Sequence, residues 1–258
     1  MLMNLANSNG EKKREVAKSL SDHRGRDNWK NPMDTWGIEG YSDKELPVET
    51  ANLFLLRCLI DYQCNSTDAW RRGEDYFNKI LSSDQQREIW KTICETSQEE
   101  WNSEANFQKC NLHRWHRAHN RLWPIADCIC RYFEGDARSI WKEGSTTFDV
   151  LCRLQYIGAG EQLSRMIVGA LKDCGQISGR GDVKADIHVC RVLGRVFYGE
   201  EAMPGAALKL ARDLFPDDPW QLDGPLWNLG QNNCSDKSPQ CAGCYLNSNC
   251  TYAQEHPI

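Results

Sequence analysis

The chain has 258 residues, 40% of them hydrophobic and 26% charged, with a formal net charge of −5. That composition supports one large core or two smaller ones, and no run approaches the roughly 18 consecutive apolar residues of a membrane span. The acidic balance gives no general attraction for a polyanion, so a nucleic-acid partner requires a local basic face. The polar start, MLMNLANSNGEKKREVAK, lacks the apolar stretch of a secretory leader, which makes the cytoplasm the expected location. Thirteen cysteines in that compartment argue for metal ligation or burial, and an odd number cannot all pair as disulfides.

In chain order, residues 1–45 are rich in Lys, Arg, Asp and Asn and are expected to be partly irregular, with Trp29 and Trp36 anchoring the later part on the body. Apolar residues then recur at helical spacing in ETANLFLLRCLIDYQ (49–63), RLWPIADCICRYF (121–133), TFDVLCRLQYI (147–157), LSRMIVGALKD (163–173) and IHVCRVLGRVFYG (187–199). Glycine- and proline-rich breaks fall between these runs at 158–160, 175–182, 199–205 and 215–219. No segment alternates over six residues, so the expectation is an all-α chain of roughly nine to eleven helices. The segment HRWHRAHNR (113–121) gathers Arg114, Arg117 and Arg121 with three histidines, either as a phosphate-contacting face or as a solvated helix face. His113, His116 and His119 stand three apart without a carboxylate in the pattern, which makes a shared metal the weaker reading.

Three features carry chemistry. In LQYIGAGEQLSRMIVGAL (154–171), Gly158 and Gly160 let the chain turn between two amphipathic helices and bring backbone amides to a helix N-terminus, an arrangement that grips a phosphate without a cationic side chain. In VKADIHVCRVLGRV (183–196), Asp186 opens a helix, and an N-capping aspartate is the plain alternative to a functional one. Finally, Cys234, Cys241, Cys244 and Cys250 follow a C-x6-C-x2-C-x5-C spacing, compact enough for four thiolates to share one centre. Chemistry alone allows tetrahedral zinc or a cubane iron–sulfur cluster there.

The order of these features, a glycine hairpin, then an aspartate opening the helix of ADIHVCRV, then the cysteine tail, resembles the endonuclease III superfamily of helix-hairpin-helix DNA glycosylases. NLFLLRCLIDYQCNSTDAW (52–70) is similar to that family's first barrel helix with its DNA-probing glutamine, here Gln63, and PLWNLGQNNC (225–234) to the helix leading into the cluster. The likeness spans about 45–252.

The resemblance implies a two-lobed all-α protein. Residues 46–174 would form a helical barrel carrying the hairpin, and 175–258 a cluster lobe on which the polar segment 1–45 partly packs, with a flipped-out nucleotide taken between the lobes. It implies a 4Fe-4S cluster on the four cysteines, chiefly structural; for the other nine, including Cys128, Cys130 and Cys190 on apolar helix faces, core burial is the plain expectation. Double-stranded DNA would be the partner of a monomer, nucleoid-associated in a bacterial cell, with no membrane contact.

Asp186 would stabilise the oxocarbenium-like sugar and orient the attacking water. Gln162 stands where bifunctional members have a nucleophilic lysine, which implies a monofunctional glycosylase. Lys184 or Lys172 acting as a displaced nucleophile would make it bifunctional instead. Gly158, Gly160, Gln63, Arg114 and Arg117 are the expected DNA contacts. Tyr62, Asn65, Trp115 and Tyr156 are candidates for the base pocket or the wedge that fills the vacated stack, with core packing as the alternative for each aromatic. Cys58 replaces the glutamate of the adenine-excising branch, and that branch's added C-terminal recognition domain is missing, so a damaged, mismatched or modified pyrimidine is the expected substrate. A DNA-binding module that has lost its chemistry is the competing expectation.

Overall fold

The computed structural model describes residues 2–23, 36–41, 44–142 and 144–256, and Trp29 lies outside them. The described residues contain no β-strand, only an isolated parallel bridge between Thr146 and Ser178, and the architecture is all-α. Two compact units emerge, Met1–Asn31 together with Arg180–Ile258, and Pro32–Gly179.

Within the N-terminal segment, α1 (Leu2–Asp22) is a 21-residue helix that the sequence did not announce, while described residues 36–38 and 44–47 are irregular. Its helical signal is thin because Val16 and Leu20, one turn apart and fully buried, sit among lysines and serines. They join a core with Val189, Leu193, Leu210 and Leu226. Lys12 reaches Thr251 at 2.8 Å and His23 stacks on Tyr245 at 3.8 Å between ring centroids.

The Pro32–Gly179 unit runs through α2 (Val48–Ile60), α3 (Ser66–Asp75), α4 (Ser83–Arg87), α5 (Ile89–Glu95), α6 (Gln98–Trp101), α7 (Glu104–Cys110), α8 (His116–Asn120), α9 (Leu122–Phe133), α10 (Thr147–Tyr156) and α11 (Glu161–Asp173). Helix α2 is its axis, with Phe54, Leu55, Leu56 and Ile60 fully or almost fully buried. Buried Asn52 ties α2 to its neighbours: its amide donates to the carbonyls of Gln86 and Arg87, and its oxygen accepts from Trp90 Nε1 at 2.9 Å. Those partners satisfy a polar group that would otherwise oppose burial. Trp36 packs against Phe54 and Trp70 in the same core.

The other unit continues through α12 (Ile187–Tyr198), α13 (Pro204–Leu214), α14 (Asp223–Asn232) and α15 (Thr251–Glu255). Among the described residues nine of fifteen α-helices have ten residues or more, and five of the six shorter ones fall between 83 and 120. Ser82, Ser97 and Ser103 each cap a new start there, accepting from the amides of Gln85, Glu100 and Asn106. Such caps divide what periodicity alone counts as fewer, longer helices.

Candidate functional site

The hairpin forms between α10 and α11. Gly158 turns the chain at φ +94°, a conformation that needs glycine, whereas Gly160 has an ordinary φ of −62° and serves as the N-cap of α11. The amides of Gly158 and Ala159 close back on the carbonyls of Gln155 and Leu154, both at 3.0 Å. The N-cap glycine offers α11 no side-chain cap, and Glu161 in the first turn pairs with Arg165.

A second loop meets this corner. Helix α2 stops at Ile60, three residues before Gln63, which corrects the placement of that glutamine on the first barrel helix. Gln63 is exposed and left-handed, with φ +51°. Asp61 accepts from Ser66 Oγ at 2.9 Å, His113 Nε2 donates to the Tyr62 carbonyl at 3.0 Å, and Arg114 donates to the Gln63 carbonyl at 3.1 Å. Arg117 donates to the Gln63 side-chain oxygen. Arg121 stacks on the Tyr62 ring at 4.6 Å and donates to the Gly158 carbonyl at 3.3 Å, joining the glutamine loop to the hairpin. Among the described residues no carboxylate pairs with Arg114, Arg117 or Arg121.

Of the pocket candidates, Tyr62 and Trp115 both face arginines of this corner. Trp115 is 46% exposed beneath the Arg114 guanidinium, and Tyr156, 60% exposed, packs edge-on to Tyr132. Asn65 caps α3, its side chain accepting from the Asp68 amide. The three histidines are structural: His116 bonds the Asn102 carbonyl, His119 that of Trp101, and His113 that of Tyr62. Gln162 is exposed in the first turn of α11, and Cys58 is fully buried.

In the other unit Asp186 is the N-cap of α12, its Oδ1 accepting from the amides of His188 at 2.9 Å and Val189 at 3.1 Å. The carboxylate is half-buried and fixed in direction by these bonds. Lys184 lies two residues earlier, and Lys172 falls in the last turn of α11.

Cys234, Cys241, Cys244 and Cys250 line one cavity, with Val192, Leu229 and Leu246 among its apolar walls. Burial and the neighbouring sulfurs push the Cys244 thiol up to about 11, and burial raises Cys241 and Cys250 as well. Four ionised sulfurs held together repel one another, so a cationic core between them removes the penalty. Among the described residues, no three Cys, His, Asp or Glu side chains close on a single metal ion. Two guanidiniums that the sequence reading did not single out support the loop. Arg191, 6% exposed, donates to the Cys234 and Gly230 carbonyls at 2.6 and 3.0 Å. Arg195, 8% exposed, donates to the Ser235 and Asp236 carbonyls and approaches Cys234 Sγ at 3.5 Å. Burial does not account for every remaining cysteine: Cys190 is buried, Cys128 and Cys130 are half-buried, and Cys152 is exposed.

No family model and no curated protein sequence matches the chain. Solved structures do. An endonuclease III trapped as a covalent intermediate with DNA, in an estranged-adenine complex, superposes with a TM-score of 0.60 over 95% of this chain and 99% of that one, at 12% identity. The fold is that of endonuclease III. A non-covalent endonuclease III–DNA complex gives 0.55 at 16% identity, covering 79% of this chain and 85% of that one. A thermostable thymine-DNA glycosylase gives 0.58 at 12% identity, covering 96% and 99%.

Within the endonuclease III fold, sequence grouped Arg121 with Arg114 and Arg117 on a possible phosphate-contacting face but did not link it to Tyr62 or Gly158. Its distance from both Tyr62 and Gly158 in sequence hides the bridge. Arg191 and Arg195 lie one turn apart on α12, and only the folded cysteine loop supplies the carbonyls they bind.

Proposed function

We propose that the protein is a monofunctional DNA glycosylase, which turns a damaged, mismatched or modified base, a pyrimidine, out of double-stranded DNA and hydrolyses its N-glycosidic bond. The observation that carries this reading is the corner where Arg114 and Arg117 hold exposed Gln63 while Arg121 ties the neighbouring Tyr62 to Gly158, just ahead of the α11 N-terminus. Backbone amides at a helix start and guanidiniums without acidic partners suit phosphates, and the fold supports the same partner. Trp115, exposed and stacked under Arg114, is suited to fill the place of an extruded base.

Asp186 supplies the chemistry. Its fixed carboxylate stabilises positive charge developing on the sugar as the base departs, and takes a proton from the water whose oxygen bonds to C1′. Gln162 has no amine with which to form a Schiff base, so the product is an intact strand with a base-free site. Buried Cys58 offers no carboxyl for adenine excision, and the thymine-DNA glycosylase among the structural neighbours agrees with a pyrimidine substrate. Cys234, Cys241, Cys244 and Cys250 would hold a 4Fe-4S cluster that supplies shape to their loop. The protein acts as a monomer in the cytoplasm.

The test is base release from duplexes carrying a panel of damaged, mismatched and modified bases, each reaction divided between hot alkali and neutral quench. Breaks only after alkali establish the activity and name the base. Breaks without alkali would assign lyase chemistry to Lys184 or Lys172, and silence across the panel would leave a DNA-binding module.

A further inference from the structure

We infer that Arg117 fixes Gln63 as a one-way hydrogen-bond donor, so that the corner selects an opposite-strand base presenting an acceptor; this rests on the corner being the nucleic-acid interface. Gln63 is held on three sides. Its left-handed backbone is one that L side chains rarely adopt, its carbonyl is occupied by Arg114, and its side-chain oxygen by Arg117. A guanidinium has donors only, so the amide atom facing Arg117 is the oxygen, and the group left to face a ligand is the NH2. Arg117 is held in turn, since its guanidinium lies 5.8 Å from the Tyr62 ring centroid and Arg121 sits on the same ring one helical turn away.

An amide free to rotate serves donors and acceptors alike. One whose oxygen is occupied offers only N–H. A base edge with a carbonyl oxygen opposite that group forms a hydrogen bond, whereas an amino group in the same place sets donor against donor and leaves both unsatisfied. Arg117 is therefore a positioning residue that acts on specificity through Gln63.

The experiment measures binding of the full chain to duplexes carrying a tetrahydrofuran abasic analogue. Opposite it stands guanine or 2,6-diaminopurine, which exchange O6 for an amino group, or thymine or 5-methylcytosine, which exchange O4 for one. The wild type should prefer guanine and thymine over their amino counterparts by about tenfold. Arg117→Met should weaken binding to all four through the lost charge and compress both ratios below about threefold, and Gln63→Glu, which can only accept, should invert them. Loss of a phosphate contact or of local structure lowers all four affinities together and leaves the ratios alone. Equal wild-type affinity within each pair, or an unchanged ratio in Arg117→Met, would overturn the inference while leaving the interface standing. A wild type that binds none of these duplexes would overturn the interface and the inference with it.

Discussion

Gly230 of α14 lies against His188 of α12 so closely that a Cβ added to it would stand 2.7 Å from the His188 Cβ and 3.0 Å from its Cα. The contact seats the helix that leads into Cys234 directly on the helix that Asp186 caps. Gly230→Ala should force the two apart and destabilise the protein by about 1–3 kcal/mol. Denaturant unfolding reads this directly, and a variant as stable as the parent would show that the helices slide at little cost.

Asp186→Asn separates chemistry from capping. Asparagine caps a helix about as well as aspartate, so stability should change by less than about 0.5 kcal/mol. Base release should fall by roughly 10² or more, with duplex affinity retained. Undiminished turnover would reduce Asp186 to a cap.

Arg114 contacts the Gln63 carbonyl and stacks on Trp115, with no acidic partner among the described residues. Arg114→Gln should lower duplex affinity and reduce the slope of log K against log salt by about 1. Titrations at several salt concentrations measure it, and an unchanged slope would remove Arg114 from the phosphate contacts.

His119 is fully buried and stacked on Trp101, bonding the Trp101 carbonyl through Nε2 while Nδ1 has no hydrogen-bond partner. Burial pushes its imidazole down to about 4 and lowers His113 as well. The unfolded chain takes up protons near the ordinary histidine value of about 6.5, whereas the folded protein resists until about 4. The His119 contribution is therefore complete above about pH 6.5 and is lost as pH falls toward 4, by up to about 1.4 kcal/mol per unit. His119→Gln should flatten the acid limb of a stability–pH curve, and an unaltered limb would assign the loss to other groups.

The long amphipathic helices were legible because their apolar faces repeat over three turns, and the convergence of the cysteine tail on one cavity because its four thiols fall within seventeen residues. Helix α1 was not, since Val16 and Leu20 find their partners on helices that follow more than 160 residues later. Gln63, singled out by resemblance, lies beyond the end of α2, where the chain turns through a Ser66–Asp61 bond that a periodicity count does not register. Gly160 was read as conformationally necessary alongside Gly158, and only the backbone angles separate the two.

The bond from Lys12 to Thr251 spans 239 residues. A nascent chain leaves the ribosome with α1 first and Thr251 far later, after the whole of Pro32–Gly179 has emerged. That intervening unit holds its own core and can complete itself during translation, while α1 waits without most of the surface it will cover. Closure of the cysteine loop, which follows Gly179 in sequence and shares its unit with α1, thus becomes a late event of synthesis.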